Sequence, residues 1–539
     1  MLIELKCDKF HQKTITFHKG LNVALGTHAG DNSLGKSTFL MILDYIFGGD
    51  DYITINDDVQ RHVGYHEFFY KFLFGEEIFC FKRDNTNTSD VYVCDENYNI
   101  KDKITIDKYR KFLQDKYGLM LPFASFRNMV GRFSRVYGKE NIDEHKPLTV
   151  VKGESSAKSV EALLILFNLF EVISNYAEVF RLREDQLDVF TKAQEYNYLP
   201  VSMTKRQYKS NAKLIEECEQ QIKEIENKIN VKNADFDTSL SREAIELKQR
   251  LSIAKSQRSK LYSKIFKIKE NLEYKAIPTY QEFENVLKFF PDCKIAEIVD
   301  IEVFHKDITQ ILSQQLKKEK KVLENELALV EALIKELNEQ FISISKSSNI
   351  SLATLKNYSA IQSKKEKLIA ANQAYDEKAR LEEAKKVAKE NLETVSEGQL
   401  TKLEKTINDK MVDLNDFIYG GKKTSPTIKF KNMRYDFFTP DDTGTGSSYK
   451  GMIVYDLSIL QLTALPYLIH DSLMLKQVAD EAVVNILKLY CFTEKQIFIA
   501  MDKQSSYGDT CQKILEENKV ISLAPGGMEL FGISWNLKS

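Results

Sequence analysis

"GTHAGDNSLGKST", Gly26 to Thr38, follows the short apolar run "LNVAL", Leu21 to Leu25. From Gly30 it fits G-x-x-x-x-G-K-[ST] without a mismatch: Gly30, Asp31, Asn32, Ser33, Leu34, Gly35, Lys36, Ser37. Each residue type has a reason to be there. Glycines let backbone N–H groups turn inward and approach phosphate oxygens closely. The lysine after the second glycine reaches the terminal phosphates, and the next hydroxyl ligates Mg²⁺. "STFLMILDYIF" then predicts a helix whose N-terminal dipole favours the anion. Strand, glycine loop and helix in that order point to an α/β fold that holds a nucleoside triphosphate. Gly30, Asn32, Ser33, Leu34, Gly35, Lys36, Ser37 and Thr38 are the candidate ligands, with Ser37 also on the metal. Thr38 reads equally as a phosphate neighbour or as a plain helix residue.

The remaining length needs its own account. At 539 residues the chain is too long for one ordinary core. Its 76 basic and 78 acidic residues nearly cancel, so overall charge does not point to nucleic acid. Seven cysteines are scattered without a CxxC pair. That argues against a disulfide framework or a cysteine zinc site and fits a reducing cytosol. "MLIELKCDKF" is not a signal peptide. The most apolar stretch, Ala162 to Ile173, is twelve residues with Asn168 and Glu171 inside it. A bilayer span needs roughly 20 apolar residues. A cytoplasmic protein without a membrane partner is expected.

Texture divides the chain into 1–204, 205–412 and 413–539. The outer regions mix strand-like and helical pieces, while the middle is rich in Lys, Glu, Gln and Leu. There Ile215, Cys218, Ile222, Ile225 and Ile229 step by threes and fours. Leu247, Leu251, Ala254, Arg258, Leu261, Ile265, Ile268 and Leu272 do the same, as do Leu316, Lys320, Leu323, Leu327, Val330, Ile334, Leu337 and Phe341. Such a narrow seam suits a coiled coil, with a compact helical bundle as the alternative. Pro278 and Pro291 interrupt the seam, so 276–310 is the expected tip, with smaller breaks at "NVKNADFDTS" and "SKSSNIS". An antiparallel hairpin would bring the chain back, letting the first and third regions build one head.

This plan, a phosphate loop near residue 30, a long coil, then a second mixed region, resembles SMC- and RecN-type ABC ATPases. "NSLGKS", Asn32 to Ser37, matches the end of their loop, with Gly26 as its leading glycine and "THAGD" inserted. The expanded loop and the "HDS" at 470–472 look most like the subgroup in bacterial ABC three-component and Lamassu-like anti-phage systems. The resemblance implies ATP and Mg²⁺ as cofactors and a homodimer whose two heads sandwich the nucleotides. It makes "LPYLIHD", Leu465 to Asp471, the Walker B strand, with Asp471 on the metal. The family's glutamate is replaced by Ser472, which has no comparable basicity. Either hydrolysis is slow or another group supplies the base. His470 is the nearest titratable candidate, and a structural, hydrogen-bonding histidine is the alternative. Gly444, Gly446, Ser447 and Ser448 stand where a signature motif would contact the partner head's nucleotide, or form a plain flexible loop. "QIFIAMD" resembles the strand that ends in a switch histidine, which is absent; Asp502 and Lys503 lie nearby.

"FRNMVGRFSRVYGK" carries Arg127, Arg132, Arg135 and Lys139 among aromatics. It reads as a DNA-backbone contact or as a solvated helix face. His62 and His66 are four apart on a possible helix but lack a third metal ligand. No G-x-S-x-G, H-E-x-x-H or nuclease-like cluster stands out, which leaves cutting to a partner chain. The expected function is an ATPase whose head dimerisation controls DNA binding and a separate effector in anti-phage defence. The alternative is a nucleotide-gated scaffold that hardly hydrolyses ATP. A purely structural coiled-coil protein is a third reading.

Overall fold

"GLNVAL" and "QIFIAM" carry no charge and no polar alternation, the pattern of strands covered on both faces. In the computed structural model, Gly20–Leu25 and Gln496–Met501 are strands buried along their whole length. They run parallel in register, from Gly20 opposite Gln496 to Leu25 opposite Met501. The structure describes residues 1–27, 33–151, 153–196, 198–201, 203–232, 238–273, 295–347, 352–442, 444–502 and 504–535.

These two strands belong to a five-stranded sheet. Its order is Lys519–Ser522, Gly20–Leu25, Gln496–Met501, Tyr467–His470, Ser134–Arg135. Every neighbouring pair is parallel. Three strands come from one end of the sequence and two from the other, so neither end completes the sheet alone. A six-stranded antiparallel sheet accompanies it, built from Leu2–Lys6, Thr14–Thr16 and the strands between Glu67 and Thr105. In Glu67–Phe74, "EFFYKFLF", Phe68, Tyr70 and Phe72 are fully buried while the residues between them are not, as one-sided packing requires. The helix Lys36–Ile46 is buried from Phe39 onward, and Thr445–Leu462 is buried from Lys450 to Leu460. Phe47 stacks on Tyr467 with ring centroids 3.9 Å apart, joining residues from both ends of the sequence in one core.

The chain divides into two units, 1–181 with 387–539, and 182–386. Both boundaries fall inside helices, Phe170–Glu195 and Leu352–Tyr419. Within the second unit, Thr238–Glu273 packs on Ile295–Ser347. Leu247, Leu251 and Ala254 meet Ile334, Leu337 and Phe341, whereas Ile265 and Ile268 meet Leu323. Residue number rises along one helix as it falls along the other, so the pair is antiparallel and uses the seam residues read from the period. Of the expected tip, 276–294 lies outside the described residues, and from Ile295 the chain is helical rather than irregular. The breaks near 230–239 and 345–351 coincide with helix ends at Lys232 and Ser347. Among the described residues no helix is long and apolar enough to cross a membrane.

The seam makes a testable demand. Leu251→Ala or Leu337→Ala should destabilise the helix pair by about 2–5 kcal/mol, because each removes a buried side chain. Ile253→Ala, at an exposed position, should change stability by less than about 0.5 kcal/mol. Urea unfolding followed by helical circular dichroism separates the three.

Candidate functional site

Parallel strands deliver their carboxyl ends to one edge, where ligands of open α/β sheets bind. Here that edge carries Gly26 after the first strand, Asp502 after the central one and Asp471 after the third. Gly35 caps the helix Lys36–Ile46 in the left-handed conformation, φ 89°. A Cβ on it would lie 2.6 Å from the Leu530 Cβ, so only glycine fits. Lys36 Nζ sits 3.0 Å from Asp502 Oδ2, and Lys476 Nζ is 2.9 Å from the same carboxylate. Burial alone would raise the Asp502 pKa. The hydrogen bonds from Lys476 and Lys36 outweigh it and hold the carboxyl below its ordinary range. Ser37 and Thr38 are half-buried on the first helical turn, and the Leu34 carbonyl accepts the Leu530 N–H at 3.0 Å. Gly30 and Asn32 lie outside the described residues.

Asp471 is 2% exposed and caps the short helix Ser472–Lys476. Its carboxylate accepts the Tyr137 N–H at 3.2 Å and the Ser472 hydroxyl at 3.1 Å. Among the described residues no lysine or arginine pairs with it, unlike Asp44, Asp456 and Asp502. One strand separates Asp471 from the strand Gly20–Leu25, which at about 4.8 Å per strand puts the two strands about 10 Å apart.

His470 belongs to a different cluster. Its Nδ1 is 2.7 Å from the Tyr490 hydroxyl and its Nε2 is 3.0 Å from Asp456 Oδ2. Arg135 forks onto the same Asp456 at 2.9 and 2.8 Å. Arg135, Asp456, His470 and Tyr490 are all fully buried, and both ring nitrogens are engaged. The chain of four ties two sheet strands to the helices Thr445–Leu462 and Asp480–Cys491.

The glycine-serine loop forms the start of Thr445–Leu462, with Gly444 as its cap. The Gly444 N–H and the Ser447 hydroxyl both donate to the Asp442 carboxylate. The Ser448 hydroxyl donates to the Gly444 carbonyl at 3.3 Å. A Cβ on Gly446 would come within 2.6 Å of the Gln477 carbonyl, so the loop abuts the end of the helix that follows Asp471. Asp442 and Lys476 escaped the sequence reading because neither belongs to a motif or to a periodic seam.

Two expectations are corrected. The basic run at 126–139 is neither a DNA contact nor a solvated face. Arg127 and Lys139 pair with Asp44, Lys139 also with Asp51, Arg132 with Glu154 and Arg135 with Asp456. The Arg132, Arg135 and Lys139 side chains are at most 4% exposed. Nor do His62 and His66 share a helix, which ends at Val63. His62 stacks on Trp535, and the buried His66 lies 2.6 Å from the Tyr52 hydroxyl. Among the described residues no group of three or more metal-ligating side chains gathers.

The family described as "Uncharacterised protein conserved in bacteria (DUF2326)" matches residues 409–535, which hold the glycine-serine loop, Asp471, Asp502 and Trp535. No curated protein matches the chain. Among solved structures, it is similar to the Smc head domain with a coiled coil and joint from Pyrococcus yayanosii. That likeness covers 97% of this chain and 94% of that one at 12% identity and a TM-score of 0.41. It is also similar to the Smc head domain with an extended coiled coil, bound to the C-terminal domain of ScpA, from Pyrococcus furiosus. There the coverage is 98% and 94%, the identity 10% and the TM-score 0.33.

Asp44, inside the helix Lys36–Ile46, sets a pH limit. Burial would raise its pKa, but Arg127 and Lys139 outweigh burial and hold it at about 2. A carboxyl depressed in the folded state stabilises the fold above its unfolded pKa, about 3.9. That contribution should vanish as pH falls from about 4 toward about 2. Asp44→Asn should cost about 3–5 kcal/mol at pH 7, because Arg127 and Lys139 lose their counter-charge, and should flatten the acid limb. Denaturant midpoints from pH 7 to pH 2 measure both effects.

Proposed function

We propose that this chain binds ATP with Mg²⁺ at the edge formed by Lys36, Ser37 and Asp471, and that nucleotide-dependent pairing of two copies controls a partner. One observation carries the binding part: a phosphate-loop lysine and a buried carboxylate without a cationic partner among the described residues reach the same sheet edge from opposite ends of the sequence. The residues fit the ligand. Gly35 holds the turn a phosphate loop needs, and Lys36 is the cation at its rim. Ser37 and Asp471 would hold Mg²⁺, which screens the charge on the terminal phosphates. The two neutral donors on Asp471 leave its negative charge available to such an ion.

The protein groups do the positioning. Lys36 exchanges Asp502 for a phosphate oxygen, and Lys476 stays with Asp502. Ser472 donates to Asp471 rather than acting as a base, and His470 is held by Asp456 and Tyr490. This occupancy favours slow turnover, and so gives weight to a nucleotide-gated scaffold as the second reading. Gly444, Gly446, Ser447 and Ser448 would meet the partner copy's nucleotide. DNA, a separate effector and an anti-phage setting belong to the proposal through the sequence resemblance.

Calorimetric titration of Mg²⁺-ATP should give saturable binding, weakened about 100-fold or more by Lys36→Ala. Asp471→Asn should weaken Mg²⁺-ATP more than metal-free ATP. A Lys36-dependent steady-state rate identifies an ATPase, whereas binding without turnover, with or without DNA, identifies the scaffold. No nucleotide binding at all would end both readings.

A further inference from the structure

We infer that the cleft between the phosphate loop and the segment Ala524–Trp535 is the receptor for the adenine base, an assignment that rests on the ATP reading above. The cleft has a volume of about 120 Å³. Ser33, Gly35 and Thr38 line it, together with Asp58, Ile533 and Trp535. Thr38 follows Ser37 on the same helical turn, so the cleft opens where the phosphate loop ends. A nucleotide held by its phosphates must send its sugar and base away from that loop, and this is a recess that shares the loop's residues.

The chemistry of the walls selects the neutral end of a nucleotide. Among the described residues the cleft is lined by two acids, Asp58 and Glu529, and by no lysine or arginine. A phosphate would be repelled there, so the recess is not a second anion site. A flat indole and the apolar Ile533, Leu530 and Phe531 side chains suit an aromatic ring. The Asp58 carboxylate supplies an acceptor for an exocyclic amino group, which adenine carries.

The wall is also held in place beforehand. Leu530 donates to the Leu34 carbonyl, and its own carbonyl accepts the His11 N–H at 3.1 Å. The Glu529 carboxylate accepts the N–H groups of Gly526 and Gly527 at 3.0 and 2.8 Å, closing the turn before it. Trp535 stacks on His62 with 5° between the ring planes and centroids 5.4 Å apart. Its indole N–H donates to Asp58 Oδ2 at 3.1 Å. Two contacts therefore fix the indole, and little rotamer freedom is left to lose on binding.

Trp535 is the only tryptophan in the chain, so its emission reports on this cleft alone. Full-length protein is titrated with Mg²⁺-ATP, with Mg²⁺ and inorganic triphosphate, and with the triphosphate of purine riboside, which lacks the amino group. ATP should change Trp535 emission and inorganic triphosphate should not. Trp535→Ala should weaken ATP about tenfold, as loss of a stacked base does, and leave inorganic triphosphate unaffected. Trp535→Phe should keep most of the ATP affinity. Asp58→Asn, at an exposed position, should narrow the preference for ATP over the amino-free analogue. If Trp535→Ala and Asp58→Asn bind ATP and triphosphate in the wild-type ratio while Lys36→Ala binds neither, the base assignment is overturned and the phosphate site stands. If wild-type protein binds neither ligand, both fall together. Should Trp535→Ala fail to fold, Trp535→Phe, Asp58→Asn and the wild-type emission response decide the matter.

Discussion

Everything at the candidate site depends on the parallel pairing of Gly20–Leu25 with Gln496–Met501. Parallel neighbours require a connection that leaves the sheet and returns, and here it contains most of the chain. Loop-closure entropy grows only logarithmically with length, so so long a connection is thermodynamically tolerable. Side chains secure the pairing. Gln496 accepts the Leu2 N–H at 2.8 Å and donates to the Leu2 carbonyl at 2.7 Å, fastening the first strand of the antiparallel sheet to the central parallel one. The kinetic consequence is large. Residues made first cannot complete their sheet until the strands between Tyr467 and Ser522 have been made, so the N-terminal region waits with unpaired edges.

Buried charge is the second organising constraint. Removing a carboxylate from water costs several kcal/mol unless a cation and hydrogen bonds compensate it. Asp44 has Arg127 and Lys139; Asp456 has Arg135 and His470; Asp502 has Lys36 and Lys476. The first two clusters join secondary-structure elements within the core. The third differs because one of its lysines, Lys36, opens the helix that follows the Gly35 turn. Asp471 differs again, being nearly as buried but served, among the described residues, only by a backbone N–H and a hydroxyl. A structural acid would gain from a lysine there; a metal ligand would lose by it. Under the ATP reading, that contrast sets Asp471 apart from the acids around it.

What could be read beforehand was local. The strand, the turn at Gly35 and the helix Lys36–Ile46 follow from consecutive residues, and the helix pair shows in a period of 3.5. The strands Gly20–Leu25 and Gln496–Met501 betray themselves by apolar runs bounded by polar residues. The fate of Arg127, Arg132, Arg135 and Lys139 could not be read in this way. Their acids lie at 44, 51, 154 and 456, and a run of basic residues looks the same whether it faces water or distant carboxylates. The same holds for Trp535. No periodicity announces that the segment after Ser522 returns to cover Gly35 and stacks on His62, because the contact is non-local and its residues are irregular. Side-chain pairing across hundreds of residues is legible only once the sheet order is known.

That sheet order also gives the proposed site a mechanical connection. Lys476 sits in the short helix that Asp471 caps, and the next residue, Gln477, presents its carbonyl to Gly446. Under the ATP reading, a triphosphate that draws Lys36 from Asp502 removes one of the two cations on a fully buried carboxylate. Asp502 then depends on Lys476 alone, and its pKa rises toward the value burial would impose. The Lys476 pair gains in weight, and the helix carrying it bears on the loop expected to meet a second copy. The phosphate loop, the carboxylate between the strands and the glycine-serine loop are thus joined by a few consecutive contacts rather than by a long pathway. Such a link requires no fast chemistry at Ser472. It needs only that occupancy at Lys36 change the charge balance at Asp502, which is why a slow or silent nucleotide site would still act as a switch.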